Sequence, residues 1–411
     1  MNGGSTAFYT DHYELTMLDA ALAAGRADVP VVFEVFTRSL PPGRRYGVFA
    51  GLDRLLDALE RFRFDEAQLE WLGHRRVVSD RALERLAGFR FSGDFASYPE
   101  GEIYGAGSPV LTVSGTFGEA VLLETLALSI LNHDCAVASA ASLIAAAAGD
   151  RPVIEMGSRR TDPEAAVAAA RAAYIAGLAS TSNLEAGRRY GVPTAGTAAH
   201  AFVLLFPDER SAFEAQLSCL GTSTTLLVDT YDTEAGIRAA VDAAGDALAA
   251  VRIDSGDLGE EALRARKLLD SLGASGARIV VTGDLDERAI RALSGSPVDA
   301  YGAGTSVVMG GGRPTAGLVY KLVEVDGRPV AKTSPGKVTV GGRKLAWRAP
   351  DGGADLVTGS SGTADGVPLQ VEAVVAGQRR LAGSVEEARE RHRRAVAGLG
   401  GRTLEVVFDR R

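Results

Sequence analysis

Val251-Arg252-Ile253-Asp254-Ser255-Gly256-Asp257 ends an apolar run and opens a helical pattern, which predicts a β-strand joined to an α-helix. The stretch places an arginine, two aspartates, a hydroxyl and a glycine where the strand ends. Arginine offers a planar fork for phosphate oxygens, and aspartate offers the hard oxygen ligands that Mg²⁺ prefers. The structural alternative is a turn in which Asp257 caps the following helix. The local sequence leaves both interpretations open.

The same change of pattern recurs through the middle of the chain. Short apolar runs that end in glycine or polar residues lie at 153–157, 193–196, 225–229, 251–254, 279–284 and 300–305. Amphipathic helical patterns lie between them at 164–179, 209–220, 233–249, 258–272 and 286–293. Alternating strands and helices predict βα units around a parallel sheet. Such units either close into a barrel or form an open doubly wound sheet. Polar residues at nearly every strand end favour the barrel.

The flanking segments have a different character. A β-branched strand at 31–36 and a helix at 52–62 predict an N-terminal α+β domain, residues 1–150, before a barrel domain at 151–320. Residues 321–411 predict a β-rich region that packs on the N-terminal domain, with a hairpin at Asp326-Gly327 and a mobile loop at 349–364. The predicted fold class is therefore α/β: an irregular β/α barrel of about six parallel strands, an N-terminal α+β domain and a smaller β-rich C-terminal region.

Composition excludes several classes of function. The 411 residues carry a net charge of −8, which argues against a nucleic acid or an anionic membrane as the main partner. The N-terminus lacks the charged start and apolar core of a signal peptide, and no apolar run reaches the roughly 20 residues of a membrane span. Cys135 and Cys219 have no metal-ligand spacing, and we expect both to be buried. These features predict a soluble cytoplasmic protein.

Other strand ends carry further candidates. His200 follows Gly196-Thr197, and it is either a structural histidine or a group that reacts with phosphate or transfers protons. Arg159 follows the strand at 153–157, where a pair of surface arginines would also be ordinary. Gly283-Asp284 and Gly302-Ala303-Gly304-Thr305 end the last two strands, and the latter resembles the backbone phosphate grip of many barrels. Together they predict a site for a multiply phosphorylated ligand with Mg²⁺.

Taken in chain order, these motifs resemble those of the nicotinate phosphoribosyltransferases, the type II phosphoribosyltransferases of NAD salvage, and most closely the actinobacterial branch. The resemblance covers residues from about 6 to 325. The motifs are Thr10-Asp11-His12-Tyr13-Glu14-Leu15-Thr16-Met17, Gly115-Thr116-Phe117-Gly118-Glu119, Leu123-Glu124-Thr125, Glu155-Met156-Gly157-Ser158-Arg159-Arg160, Gly196-Thr197-Ala198-Ala199-His200, residues 251–258, Gly283-Asp284-Leu285-Asp286, residues 301–307 and Val319-Tyr320-Lys321-Leu322-Val323.

The resemblance implies a reaction in which nicotinate and phosphoribosyl pyrophosphate give nicotinate mononucleotide and pyrophosphate. It also implies Mg²⁺ as cofactor and ATP as co-substrate, with His200 as the histidine that ATP phosphorylates. Hydrolysis of this phosphohistidine drives the reaction toward product. The adjacent carboxylates typical of type I phosphoribosyltransferases are missing from 229–233, which also favours type II.

The resemblance further implies roles for individual residues. The implied catalytic residues are His200, Arg252 and Asp254, and the implied nicotinate-binding residues are Tyr13, Phe117 and Arg159. Phosphoribosyl pyrophosphate is implied to contact Arg159, Arg252, Asp254, Ser255, Gly283, Asp284, Gly302, Gly304 and Thr305. The implied Mg²⁺ ligands are Asp254 and Asp257.

The implied partners are small molecules and a second copy of the chain, as a homodimer with shared active sites. The nearest alternative is a nicotinamide phosphoribosyltransferase, although Ala198 after Gly196-Thr197 fits a carboxylate substrate better. A quinolinate phosphoribosyltransferase needs additional cationic residues and is a more distant fit. A different class of alternative is a catalytically silent barrel that binds a nucleotide.

Overall fold

The computed structural model describes residues 4–332 and 340–409. The described residues of Met1–Ser139 and Arg313–Arg411 form one compact unit, and Ala140–Gly312 form a second. The first unit therefore joins the N-terminal and C-terminal stretches of the chain. The sequence predicts three domains, at 1–150, 151–320 and 321–411, and this division stays a prediction.

The β-strands are numbered in chain order: β1 (Pro30–Thr37), β2 (Gly47–Val48), β3 (Asp94–Ser97), β4 (Ile103–Tyr104), β5 (Leu111–Thr116), β6 (Val153–Glu155), β7 (Ser180–Thr181), β8 (Thr225–Leu227), β9 (Ala250–Ile253), β10 (Arg278–Gly283), β11 (Ala300–Ala303), β12 (Leu318–Val325), β13 (Arg328–Pro329), β14 (Lys344–Arg348), β15 (Ala354–Gly359), β16 (Val367–Pro368), β17 (Val371–Val375), β18 (Gln378–Arg379) and β19 (Glu405–Phe408).

The α-helices are numbered in the same way: α1 (His12–Ala23), α2 (Leu52–Glu60), α3 (Glu66–Arg75), α4 (Asp80–Ala87), α5 (Phe117–Ala120), α6 (Glu124–Ala148), α7 (Pro163–Ile175), α8 (Leu184–Tyr190), α9 (His200–Val203), α10 (Glu209–Leu220), α11 (Thr233–Ala244), α12 (Leu258–Ser271), α13 (Glu287–Ala292), α14 (Thr305–Val308) and α15 (Val385–Leu399).

The second unit is built on a six-stranded sheet in the order β7-β6-β11-β10-β9-β8. All its pairings are parallel, and the order follows the chain around a barrel whose open edges are β7 and β8. The irregular barrel predicted from the sequence is therefore confirmed. One strand prediction was wrong: residues 193–196 form only an isolated bridge from Thr194 to Thr181, and β7 takes the sheet position beside β6.

Five helices of this unit begin after an aspartate at the N-cap position. The side chains of these residues accept backbone N–H groups in the first turn of α7, α10, α11, α12 and α13, and they are Asp162, Asp208, Asp232, Asp257 and Asp286. The caps satisfy N–H groups that have no partner inside the helix. They fix where each loop ends and so define the length of each loop at the strand ends.

The first unit contains a seven-stranded sheet in the order β13-β12-β1-β5-β3-β17-β18. β12 lies antiparallel to β1, and β17 lies antiparallel to β3, so the C-terminal region contributes strands to the N-terminal sheet. The Asp326-Gly327 hairpin is confirmed by the pairing of β12 with β13, and both turn residues have positive φ. The predicted loop at 349–364 was wrong for β15, which pairs with β14 and β19.

The apolar stretch Phe117–Ala148 is the one helical span in the described part of the chain that is long and apolar enough to cross a membrane. Because 67% of its most apolar window is buried inside the protein, it has the character of a core helix. Cys135 on this helix is buried as predicted, whereas Cys219 at the end of α10 is exposed, which corrects the prediction for that residue.

A buried ion pair joins the seven-stranded sheet of the first unit to its four-stranded sheet, whose order is β16-β14-β15-β19. The Lys344 ammonium on β14 lies 2.7 Å from the Glu34 carboxylate on β1 and also donates to the carbonyls of Val340 and Gly342. The backbone N–H of Lys344 donates to the same carboxylate at 2.7 Å. Burial raises the pKa of Glu34, and the Lys344 charge opposes that effect. The attraction between the two charges therefore offsets the free-energy cost of burying them.

The Lys344→Met variant should lose about 3–5 kcal/mol of unfolding free energy, because it leaves the Glu34 carboxylate buried without its ion-pair partner. Urea denaturation at neutral pH measures the loss. The control is Arg264→Met, which breaks an exposed pair with Glu260 and should change stability by less than about 1 kcal/mol. Equal losses in the two variants would contradict a special role for the buried pair.

Candidate active site

The C-terminal ends of the parallel strands meet at one edge of the second unit. Residue pairing places Arg252 level with Leu227 and Val280, and it places Ala303 level with Glu155 and Gly283. Strand register therefore brings the polar residues after β6, β8, β9, β10 and β11 to one edge, as in β/α barrels generally.

Arg252 is the best anchored cation of this edge. Its Nε donates to Thr282 Oγ1 at 2.8 Å, its Nη1 donates to Thr197 Oγ1 at 3.0 Å, and its Nη2 lies 3.3 Å from Asp254 Oδ1. The side chain is only 15% exposed. Thr282 also donates to Asp254. Groups from three segments thus hold the guanidinium in one orientation. A cation that is fixed in this way can neutralise an anion without first having to reorient.

Asp229 is a residue that the site prediction missed. One carboxylate oxygen, Oδ2, accepts the backbone N–H of Asp254 and the hydroxyl of Ser255, each at 2.7 Å. The other oxygen, Oδ1, is buried without a hydrogen-bond partner. Asp229 lies one residue beyond the end of β8, after Val228, and Asp254 directly follows β9. The position of this carboxylate at the end of a predicted strand is therefore a signal from which the sequence could have predicted Asp229.

His200 begins α9 and faces the Asp254 carboxylate. Its Nδ1 lies 3.1 Å from Thr230 Oγ1, and its Nε2 lies 3.8 Å from Asp254 Oδ2. The side chain is 39% exposed, so the imidazole is reachable from solvent. A threonine on one ring nitrogen and a carboxylate near the other orient the ring, which a histidine that reacts with phosphate needs.

Two glycines allow the backbone to come close at this edge. Gly283 has a φ of +140°, a conformation that residues with a side chain rarely adopt. A Cβ atom at Gly302 would lie 2.5 Å from Thr282 Cγ2 and 2.8 Å from Met156 Sδ. The predicted phosphate-binding loops therefore depend on glycine for backbone geometry and for space.

The other predicted residues at this edge of the sheet form fewer or longer hydrogen bonds than Arg252 does. Thr305 Oγ1 donates to Asp284 Oδ1 at 3.4 Å. Asp257 accepts the backbone N–H groups of Gly259 and Glu260, each at 3.1 Å, so its carboxylate caps α12 as the structural alternative anticipated. Arg159 lies exposed in the turn after β6. Within residues 4–332 and 340–409, no three His, Cys, Asp or Glu side chains form a ready metal site.

Tyr13 and Phe117 lie in the first unit. Tyr13 stands in the first turn of α1, where burial and the carboxylates of Glu124 and Glu14 raise its pKa to about 12. Its hydroxyl therefore stays protonated at neutral pH. Phe117 begins α5, and its ring centroid lies 6.5 Å from that of Phe33. The structure groups the remaining predicted site residues in the second unit.

Comparison with known proteins identifies both halves of the chain. Residues 8–132 match the N-terminal domain of nicotinate phosphoribosyltransferase, and residues 137–309 match the C-terminal domain of quinolinate phosphoribosyltransferase. Nicotinate phosphoribosyltransferase pncB1 of Mycobacterium tuberculosis is 60% identical over 347 residues, which are 82% of this chain and 77% of the relative.

More distant relatives agree. Nicotinate phosphoribosyltransferase of Bacillus subtilis is 37% identical over 363 residues, 84% of this chain and 73% of the relative. The crystal structure of human nicotinic acid phosphoribosyltransferase superposes with a TM-score of 0.86 at 26% identity and covers 98% of both chains.

Replacing Gly302 by alanine should lower the unfolding free energy by about 1–3 kcal/mol, because the added methyl overlaps Thr282 and Met156 in a packed interior. Chemical denaturation measures the change. Gly295→Ala is the control, since a Cβ there meets nothing within 4 Å. If both variants were equally stable, the close approach at Gly302 would be wrong.

Proposed function

The chain belongs to the nicotinate phosphoribosyltransferase family, and we propose that it forms nicotinate mononucleotide and pyrophosphate from nicotinate and phosphoribosyl pyrophosphate, as a step of NAD salvage. The observation that carries the proposal is the convergence of Arg252, Asp254 and His200 at one strand edge. A fixed cation, a carboxylate and a reachable imidazole are the groups that this reaction needs.

The chemistry asks for positioning and charge neutralisation. Pyrophosphate leaves the anomeric carbon of the ribose through an oxocarbenium-like state, so negative charge grows on the leaving group. Arg252 neutralises that charge, and Asp254 orients the phosphoribosyl unit with Ser255. The ribose and its 5′-phosphate are held by the backbone of three glycines and by two polar residues. These residues are Gly283, Gly302, Gly304, Asp284 and Thr305.

ATP couples to the reaction through His200. The imidazole attacks the γ-phosphorus of ATP, the bond to the bridging oxygen breaks and ADP leaves. Water later hydrolyses the phosphohistidine to phosphate and free histidine. Thr230 Oγ1, 3.1 Å from Nδ1, and Asp254, near Nε2, keep the ring in place for the attack.

Mg²⁺ fits this set of donors. The buried Oδ1 of Asp229 lacks a hydrogen-bond partner, and Asp254, whose backbone N–H donates to Oδ2 of the same carboxylate, offers a second carboxylate. One or two carboxylates with waters and substrate phosphates are the usual Mg²⁺ environment. Bound there, the ion would neutralise pyrophosphate charge. The donor set favours Asp229 with Asp254, while the Asp257 carboxylate is engaged as a helix cap.

Nicotinate recognition falls to a cation and aromatic rings. Arg159 is exposed and supplies a guanidinium for the nicotinate carboxylate or for pyrophosphate. In the proposed dimer, Tyr13 of the partner subunit, 43% exposed, supplies a face for stacking on the pyridine ring, and Phe117 is the candidate for the opposite face.

A homodimer with shared active sites is part of the proposal. The first unit exposes the aromatic residues Phe8, Tyr9, Tyr13 and Trp71. The second unit exposes Leu204 and Leu205 shortly after His200, and Tyr231 next to Thr230, whose hydroxyl contacts His200. Exposed apolar groups of this kind support association with another copy of the chain. We place the enzyme in the cytoplasm, where its phosphorylated substrates occur.

The first test is product formation from phosphoribosyl pyrophosphate and Mg²⁺, with nicotinate and nicotinamide offered separately, with and without ATP. We expect nicotinate mononucleotide by chromatography, with more product when ATP is present. Turnover of nicotinamide instead would assign the chain to the nicotinamide enzymes. Absence of turnover with either would favour a silent nucleotide-binding barrel.

His200→Ala should abolish ATP hydrolysis and the acid-labile phosphoenzyme while slow synthesis without ATP persists, because the nucleophile is lost and the phosphoribosyl site is kept. Labelled γ-phosphate incorporation measures this. The control is His74→Ala, an exposed histidine of α3. Full ATP coupling in His200→Ala would contradict the assignment.

Asp229→Asn should lower kcat/KM for phosphoribosyl pyrophosphate by about 100-fold or more, because the variant removes a charge that holds the Asp254–Ser255 turn and would bind Mg²⁺. Asp257→Asn should stay within about 3-fold, since asparagine caps helices as well as aspartate. Steady-state kinetics over a Mg²⁺ series compares the two. The reverse ranking would support Asp257 as the metal ligand.

A further inference from the structure

Glu155 is a buried carboxylate at the C-terminal end of β6. It is 1% exposed, and burial raises its pKa. Its two oxygens accept the hydroxyl of Thr181, at 2.5 Å, and the backbone N–H of Gly157. In the described part of the chain, no lysine, arginine or histidine forms an ion pair with it. Its neighbours in the sheet register are Ala303 on β11 and Thr181 on β7.

The hydrogen-bond partners of Glu155 connect it to the turn that contains Arg159. Thr181 Oγ1 accepts the backbone N–H of Asn183 at 3.0 Å. The Asn183 side chain donates to Ser158 Oγ at 3.0 Å and accepts the N–H of Ala186 in the first turn of α8. The turn after β6 is therefore held at Gly157 by Glu155 directly and at Ser158 through Thr181 and Asn183.

The same turn packs against the glycine loop after β11. A Cβ atom at Gly157 would lie 2.9 Å from the Gly304 carbonyl and 2.3 Å from Val308 Cγ1. A Cβ atom at Gly304 would lie 3.2 Å from the Met156 carbonyl. A shift of the turn would therefore move both the backbone before Arg159 and the loop proposed to hold the 5′-phosphate.

We propose that Glu155 is a positioning residue that fixes the turn of Ser158–Arg160 against the Gly304 loop, so that Arg159 and the phosphate loop bind the phosphorylated substrate together. The inference rests on the proposed function for its substrate. Glu155 itself contacts no substrate, because its oxygens are occupied by Thr181 and Gly157. The carboxylate matters here as two hydrogen-bond acceptors of fixed geometry.

The test compares Glu155→Ala, Glu155→Gln and a control, Asp299→Ala. Asp299 also uses its carboxylate to accept a backbone N–H of the same sheet, that of Ile279 at 2.7 Å, but at the N-terminal end of the strands. Glutamine keeps the acceptor for the Gly157 N–H and reverses the second bond, because its amide donates to the free lone pair of Thr181 Oγ1. Asp299→Ala therefore controls for a general loss of stability.

We expect Glu155→Ala to raise KM for phosphoribosyl pyrophosphate, and the dissociation constant of pyrophosphate with Mg²⁺ measured by calorimetry, by about 10–100-fold, since a small misplacement suffices. Glu155→Gln and Asp299→Ala should stay within about 3-fold of wild type for both quantities. Unchanged binding in Glu155→Ala, or an equal loss in Asp299→Ala, would overturn the proposal.

A second readout separates this inference from the proposed function. Hydrogen exchange of a peptide spanning 156–161 should accelerate in Glu155→Ala and remain slow in Asp299→Ala, whether or not the wild type makes nicotinate mononucleotide. If Glu155→Ala fails to fold, Thr181→Val and Thr181→Ser replace it, and only the valine variant should loosen the turn. Slow exchange at 156–161 in the loosening variants would refute the positioning role.

Discussion

The parallel register of the six-stranded sheet is the constraint on which the site depends. Because neighbouring strands run in the same direction, each contributes its C-terminal residues to one edge. Arg252, Asp229 and Gly283 come from three different strands or strand ends, and no local segment could bring them together. The aspartate caps fix where the helices begin. They therefore keep the loops after the strands short, and the polar side chains of these loops stay close to the sheet.

Buried carboxylates organise both units. Glu34 binds the ammonium of Lys344, Asp229 binds the Asp254–Ser255 turn, and Glu155 binds the turn before Arg159. The first is an ion pair, whereas the other two accept N–H and O–H groups. A buried carboxylate is costly unless its oxygens are occupied. Of the three, Asp229 keeps a buried oxygen without a partner, and it stands next to the proposed cation site.

The two halves of the chain carry different information about specificity. The second unit matches a quinolinate phosphoribosyltransferase domain, while residues 8–132 match the nicotinate enzyme. A barrel edge that binds a phosphorylated ribose can serve either pyridine acid, since the phosphoribosyl group is common to both reactions. The distinction between pyridines then falls to residues that contact the ring, for which Tyr13, Phe117 and Arg159 are the proposed candidates.

The sequence by itself determined the alternation of strands and helices, the hairpin at Asp326-Gly327 and the order of the family motifs, because each depends on residues close together in the chain. Only the tertiary structure decided which strands are neighbours. It placed β7 where residues 193–196 were expected, and it made a strand of 354–359, where pairing with β14 and β19 outweighs a glycine-rich composition. The sequence predicted Asp254 and His200 as site residues, but it gave no sign that Asp229 holds the Asp254–Ser255 turn, and it left open whether Asp257 caps α12. Burial and hydrogen-bond partners arise from contacts between distant residues, and local pattern does not contain them.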